Sequence, residues 1–185
     1  GTPAISDPGE DLVRLCAENG MEVLSIPGCC AAVNALAVSG LPTGRFTFEG
    51  FLTVNKKSRR EHLDSLKNEE RTMIFYEAPH KLRTTLDDLC AAFGPGRRIA
   101  LCRELTKLHE ETMRCTLGEA VAYYAENAPK GEYVLVVAGA APRQEAAVTL
   151  EEAVAQVLAL RTQGVRLKDA AREVAEHTGL SKNEL

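Results

Sequence analysis

No stretch of the 185 residues stays apolar for eighteen positions, the length a helix needs to cross a bilayer. No basic segment leads into an apolar core of the kind a secretory signal carries. Neither a membrane span nor an export signal is expected. The CxxC pairing is also missing, and the four histidines are scattered without metal-ligand spacing, which argues against a zinc site or any other metal centre. Cysteine itself is not scarce. Cys16, Cys29, Cys30, Cys90, Cys102 and Cys115 fall largely at apolar positions of expected helices or strands, so they read as reduced, core-filling thiols of a cytoplasmic protein. Adjacent Cys29 and Cys30 are badly placed for an unstrained disulfide.

What is present suits one moderate domain with a small appendage: 45% of the residues are hydrophobic, enough for a real core. The formal net charge of −4 is unevenly spread. Residues 55–110 hold twelve Lys/Arg against nine Asp/Glu, a local balance of +3, while the rest of the chain carries −7. The basic excess is sharpest at Lys56-Lys57-Ser58-Arg59-Arg60. A patch of this size suits phosphates, and it equally suits a solvated helix start.

Helical and strand-like segments alternate. Asp7, Pro8 and Glu10 form a helix-start pattern for a helix to Glu18, stopped at Asn19-Gly20. MEVLSI (21–26) reads as a short buried strand, and CAAVNALAVSG as a compact helix ending at Gly40. FTFEGF (46–51), RTMIFYE (71–77), RRIALCRE (97–104), ETMRCTL (111–117) and GEYVLVVAG (131–139) read as strands. Helices are expected over Glu61 to Leu66, from Pro79 through Phe93, and over GEAVAYYAEN. The pattern predicts an α/β fold with a mixed parallel and antiparallel sheet. Beyond residue 140 only helix is expected. Thr149 and Glu152 form a capping box, Gly164 is a stop, and Leu167 to His177 is a second helix; Ser181 with Glu184 caps a third. Ala175 and Gly179 give this tail a helix-turn-helix look, but residues 165–185 balance four basic against four acidic side chains, so a helical hairpin without DNA contact is favoured.

GTPAISDPG (1–9), FEGF with its basic helix (48–60), FYEAPHKL (75–82), RELTKLHEE (103–111) and GEYVLVV (131–137), in this order and spacing, closely resemble the ribosomal RNA small-subunit methyltransferase I family of the tetrapyrrole methylase superfamily. The resemblance implies a tetrapyrrole-methylase-like α/β fold, S-adenosylmethionine as methyl donor, the 2′-hydroxyl of a cytidine in 16S ribosomal RNA as acceptor, and a homodimer. It also implies that a first subdomain precedes Gly1. Residues 1–40 would then be the end of the donor-site region and linker, 41–140 the C-terminal α/β subdomain, and 141–185 a truncated helical appendage.

On the same footing Gly1, Thr2, Pro3, Ile5 and Ser6 are expected to touch the donor, since a Gly/Pro loop lets main chain approach closely. Gly28, Cys30 and Ala31 would form a second wall, with Tyr76 beside it. The family more often has PGPSA where this chain has Pro27-Gly28-Cys29-Cys30-Ala31, so a backbone contact is expected at position 30 rather than a side-chain one. Glu77, His80, Arg103 and Lys107 are the candidate catalytic residues: Glu77 to orient, His80 to take a proton, and Arg103 or Lys107 to bind phosphate or ease ionisation of a hydroxyl. Lys56, Lys57, Arg59 and Arg60 are the candidate RNA contacts, positioning rather than specifying. Two other readings stay open: a tetrapyrrole C-methylase on the same fold, and a non-catalytic RNA- or protein-binding module.

Overall fold

The computed structural model describes residues 1–142, 149–178 and 181. The chain divides into two compact units, Gly1–Ala141 and Pro142–Leu185.

In the first unit, α1 (Glu10–Glu18) and α2 (Ala31–Val38) precede β1 (Phe46–Phe51), α3 (Lys56–Ser65) and β2 (Thr72–Glu77). A 3-10 turn at Pro79–Lys81 runs into α4 (Leu82–Phe93), followed by β3 (Arg98–Arg103), β4 (Glu111–Thr116), α5 (Leu117–Glu126) and β5 (Tyr133–Val137). The strands form one sheet in the order β1-β2-β5-β3-β4. β1 and β2 are parallel; the β2/β5, β5/β3 and β3/β4 pairs are antiparallel. The mixed α/β sheet expected from the alternating pattern is therefore the observed fold.

Period-two alternation sorts the side chains into two layers. Met73, Phe75, Ile99, Leu101, Leu135 and Val137 face α3, α4 and α5 in one buried cluster. Ile74, Ala100, Cys102, Val134 and Val136 face α2 in another. Each fully buried Leu or Phe contributes about 1.5–3 kcal/mol by leaving water, which makes the double-sided sheet the main source of stability. The register slips between Phe48 and Gly50, where Gly50 takes φ 63°, a left-handed conformation that glycine alone adopts at little cost.

Two expectations at the N-terminal end fail. Residues 21–26 form no strand, and their apolar side chains stand in solvent, Ile26 at 82%. No strand of the sheet pairs with them, and β-propensity without a partner does not order a backbone. The helix expected from Pro8 begins at Glu10 with Gly9 as its N-cap and no side-chain cap, so the Asp7/Glu10 pattern is not used. The basic stretch, in turn, lies inside α3, capped by Asn55, whose side chain accepts from Lys57 N and Ser58 N.

The second unit pairs α6 (Leu150–Thr162) with α7 (Leu167–Thr178) around Ala153, Val157, Ala170, Ala171 and Val174. Thr149 and Glu152 form the expected capping box. The third helix expected from Ser181 lies outside the described residues.

Candidate active site

One end of the sheet opens into a cleft of about 340 Å³. Its first wall is the loop 1–9. Thr2 donates to the Cys29 carbonyl oxygen through both its amide, at 2.9 Å, and its hydroxyl, at 3.3 Å, tying this loop to the one that enters α2. Cys30 is the N-cap of α2 but supplies no side-chain cap. The Ala32 amide instead donates to the Tyr76 hydroxyl at 3.0 Å. Tyr76 is held in turn by the rings of Phe48 and Phe51, edge-on at 5.1 and 5.6 Å. Burial pushes its phenol above the ordinary value, the Ala32 amide working against that shift.

The opposite wall comes from the segment after β3. Glu104 takes φ 50° and Thr106 φ 64°. The Glu104 Oε1 oxygen accepts from Lys107 Nζ at 3.2 Å and from the Glu132 amide at 3.3 Å, and the Lys107 hydrogen bond chiefly holds its carboxyl below the usual carboxylate range. Gly131, at φ 74°, leaves room for this arrangement, because a Cβ there would stand 2.5 Å from Glu104 Oε1. Cys102 forms part of the lining. Its thiol donates to the Ala35 carbonyl at 3.9 Å and is pushed above its ordinary pKa by burial, so it is an inert wall rather than a nucleophile.

The cleft brings together Gly1, Thr2, Ile5, Ser6, Cys30, Ala31, Tyr76, Glu77 and Lys107 of the residues singled out from the sequence, and adds Asp7, Glu104 and Glu132. Pro3, Gly28, His80 and Arg103 do not line it. Alternation explains much of this division. Glu77 follows Met73 and Phe75 onto the α4 side of the sheet, and its side chain is buried there: Oε1 accepts from the Ala78 amide at 2.8 Å and Oε2 from the Thr85 hydroxyl. Arg103 follows Ile99 and Leu101 to the same side, where it pairs with Glu111 in a hollow of about 260 Å³ shared with Tyr123 and Tyr124. The carboxylate of Glu111 keeps the Arg103 guanidinium firmly protonated.

His80 lines a separate groove of about 670 Å³ between α3 and α4, together with Lys56, Arg59 and Arg60. Lys57 points elsewhere, 3.9 Å from Glu61. Arg59 is largely committed, its side chain only 11% exposed: Nε pairs with Asp88 Oδ2 at 2.6 Å and Nη2 donates to the Thr85 hydroxyl at 2.8 Å. Among the described residues no group of three or more His, Cys, Asp or Glu side chains is placed to hold a metal ion, and no helix is long and apolar enough to cross a membrane.

Residues 1–121 match the family described as tetrapyrrole (corrin/porphyrin) methylases. The chain belongs to the tetrapyrrole methylase family. Residues 148–185 match a second family, the RsmI C-terminal HTH domain. Among curated relatives, the ribosomal RNA small subunit methyltransferase I of Synechocystis sp. is 47% identical over 185 residues, covering all of this chain and 66% of the relative. That of Escherichia coli O157:H7 is 44% identical over 187 residues, covering 64% of the relative. The chain thus spans just under two thirds of the length of these relatives. Among solved structures, the methyltransferase CobJ superposes with a TM-score of 0.57 at 24% identity, covering 78% of this chain and 64% of its own. Uroporphyrin-III-C-methyltransferase from Thermus thermophilus gives 0.51 at 20%, covering 74% and 60%. At those identities the likeness is one of fold.

Sequence reasoning missed Glu132 and the anchoring role of Tyr76, and it set Glu104 in a charged cluster with Arg103 and Lys107 without giving it a role. Strand alternation would have flagged Tyr76, since it falls on the face opposite Phe75.

Proposed function

We propose that this protein transfers a methyl group from S-adenosylmethionine to the 2′-hydroxyl of a cytidine ribose in 16S ribosomal RNA, working in the cytoplasm as a homodimer on the small ribosomal subunit. The observation that carries this reading is the convergence of two family-like loops, 1–9 and 27–31, on one cleft, locked by the paired Thr2 to Cys29 hydrogen bonds. The names of the relatives supply the RNA acceptor.

The cleft fits the donor chemically. Its volume lies within the range of small-molecule sites, about 300–1,000 Å³. Exposed main chain at Gly1 and Thr2 offers close approach, and Cys30 and Ala31 at the start of α2 bring the partial positive charge of a helix N-terminus. Across from them, Glu104 and Glu132 set negative charge where a cationic ligand would lie. When bound, S-adenosylmethionine supplies a methyl group already activated by the sulfonium charge. The chain's own work is therefore placement, and orientation alone lowers a barrier of this kind by several kcal/mol. Lys107 is the cationic side chain in the cleft and is the group we assign to ease ionisation of the acceptor hydroxyl. Glu77 and Arg103 act from behind the walls as positioning residues, while Lys56 and Arg60, at the basic start of α3, meet the RNA backbone.

Tritiated methyl transfer by the full-length protein tests the reading, with small ribosomal subunits, isolated ribosomal RNA and porphyrinogen as acceptors. Label is expected in RNA at a ribose. Label in the porphyrinogen alone would favour the C-methylase, and label in none of the three would favour a binding module.

A further inference from the structure

The groove between α3 and α4 is about twice the volume of the cleft and has the opposite character. It gathers five cationic side chains, Lys56, Arg59, Arg60, Lys67 and Lys81, with His80, against two carboxylates, Asp64 and Asp88. The carboxylates are already occupied. Asp88 is paired with Arg59 at 2.6 Å; Asp64 lies 2.7 Å from Lys67 and 3.8 Å from Arg60. Among the described residues Lys56 and Lys81 have no ion pair. Lys56 is the first residue of α3 and Lys81 is the last of the 3-10 turn and the N-cap of α4, and neither α3 nor α4 carries an acidic residue in its first turn. Cationic side chains from two different elements therefore line one space. Leu63, Ala91 and Ala92 give this space an apolar floor.

We propose, resting on the RNA-methylating reading above, that this groove is a docking seat for a single-stranded RNA phosphodiester backbone. Lys56, Arg60, Lys67, His80 and Lys81 grip the phosphates, and Arg59 is a positioning strut. The volume is too great for a lone phosphate. An apolar floor beneath a cationic rim suits sugars and bases carried between phosphates. His80 thereby serves RNA binding rather than proton transfer, Lys67 and Lys81 join the contact set, and Lys57 leaves it. The strut has a second consequence: Arg59 donates to Thr85, and Thr85 donates to Glu77, so one hydrogen-bond chain runs from the groove to the residue after Tyr76.

The test uses the 185-residue chain and a fluorescein-labelled single-stranded RNA oligonucleotide, titrated without methyl donor at several KCl concentrations. Lys56→Glu with Lys81→Glu should weaken binding at least tenfold and lower the log–log salt slope by about 1.4, two contacts at about 0.7 each. Lys57→Glu should change affinity less than twofold. Poly-uridylate should compete at least tenfold better than polyglutamate of equal charge. An unchanged affinity and slope in the double variant, an equal loss in the Lys57 variant, or equal competition by polyglutamate would each overturn the proposal. Circular dichroism checks that the exposed substitutions leave the fold intact. Calorimetry with S-adenosylmethionine reads the cleft separately, so a chain that binds RNA through the groove and takes no donor would fail the methyl-transfer reading alone.

Discussion

The cleft lies at one end of the sheet and the groove between α3 and α4, and the two differ in what they expose. The cleft presents main chain, one aromatic cluster and the carboxylates of Asp7, Glu104 and Glu132, with Lys107 as its cation. The groove presents side-chain cations from two helices, with its carboxylates neutralised. One surface suits a small cationic ligand and the other an extended polyanion. Opposite fields in one unit would keep a small cation and a polyanion from competing for the same place.

The sharpest way to break that division is through the hydrogen-bond chain behind it. Thr85→Val removes the hydroxyl between Arg59 and Glu77, both of which bond to it. Unsatisfied buried polar groups cost about 1–3 kcal/mol each, so urea unfolding should show a loss of about 2–4 kcal/mol. A change under 0.5 kcal/mol would mean that Glu77 is not structurally committed.

Next in size is Gly131→Ala. The new Cβ would meet Glu104 Oε1 at 2.5 Å, on a backbone at φ 74°. The strain costs about 1–3 kcal/mol, and the displaced Glu104 should lower donor affinity by calorimetry while leaving RNA affinity unchanged. Equal losses of both would show that the two sites are not independent.

A smaller effect separates them by pH. The hydrogen bond from Lys107 lowers the Glu104 pKa, so its contribution is fully present above the ordinary carboxylate range and is lost as pH falls through the lowered folded value. Glu104→Gln should therefore unfold earlier than the parent at neutral pH, and the two denaturation curves should converge in acid. Parallel curves down to low pH would remove Glu104 from the pH dependence. Smallest of all, Lys57→Ala, at a pair 86% and 65% exposed, should leave thermal stability unaltered. A measurable shift would show that Lys57 has a partner beyond Glu61.

The buried half of this molecule was legible in the sequence because its signals are local. β1 alternates, β2, β3 and β5 are short apolar runs, α2 and α4 end close to glycine, and Thr149-x-x-Glu152 is a capping box. MEVLSI has the composition of a strand, but pairing is a property of neighbours, and no strand of the sheet pairs with it. The site was half legible for a related reason. The loops lining the cleft carry their own motifs, whereas the direction of Glu77 and Arg103 depends on counting by twos along a strand whose inner face must first be known. Glu104 and Glu132 sit in the RELTKLHEE and GEYVLVV segments, but neither segment shows that the two residues come together. They meet because β3 and β5 are neighbours in the sheet, a fact no spacing in the chain encodes.

Phe48 and Phe51 are three positions apart, an odd number, and in an uninterrupted strand they would show opposite sides of the sheet. Both nevertheless rest on Tyr76, because the slip at Gly50 resets the parity between them. A single added residue at one backbone kink therefore decides whether the ring of Phe51 closes the rim of the cleft or turns away from it. Deleting one residue there would reverse that choice without altering the chemistry of any side chain.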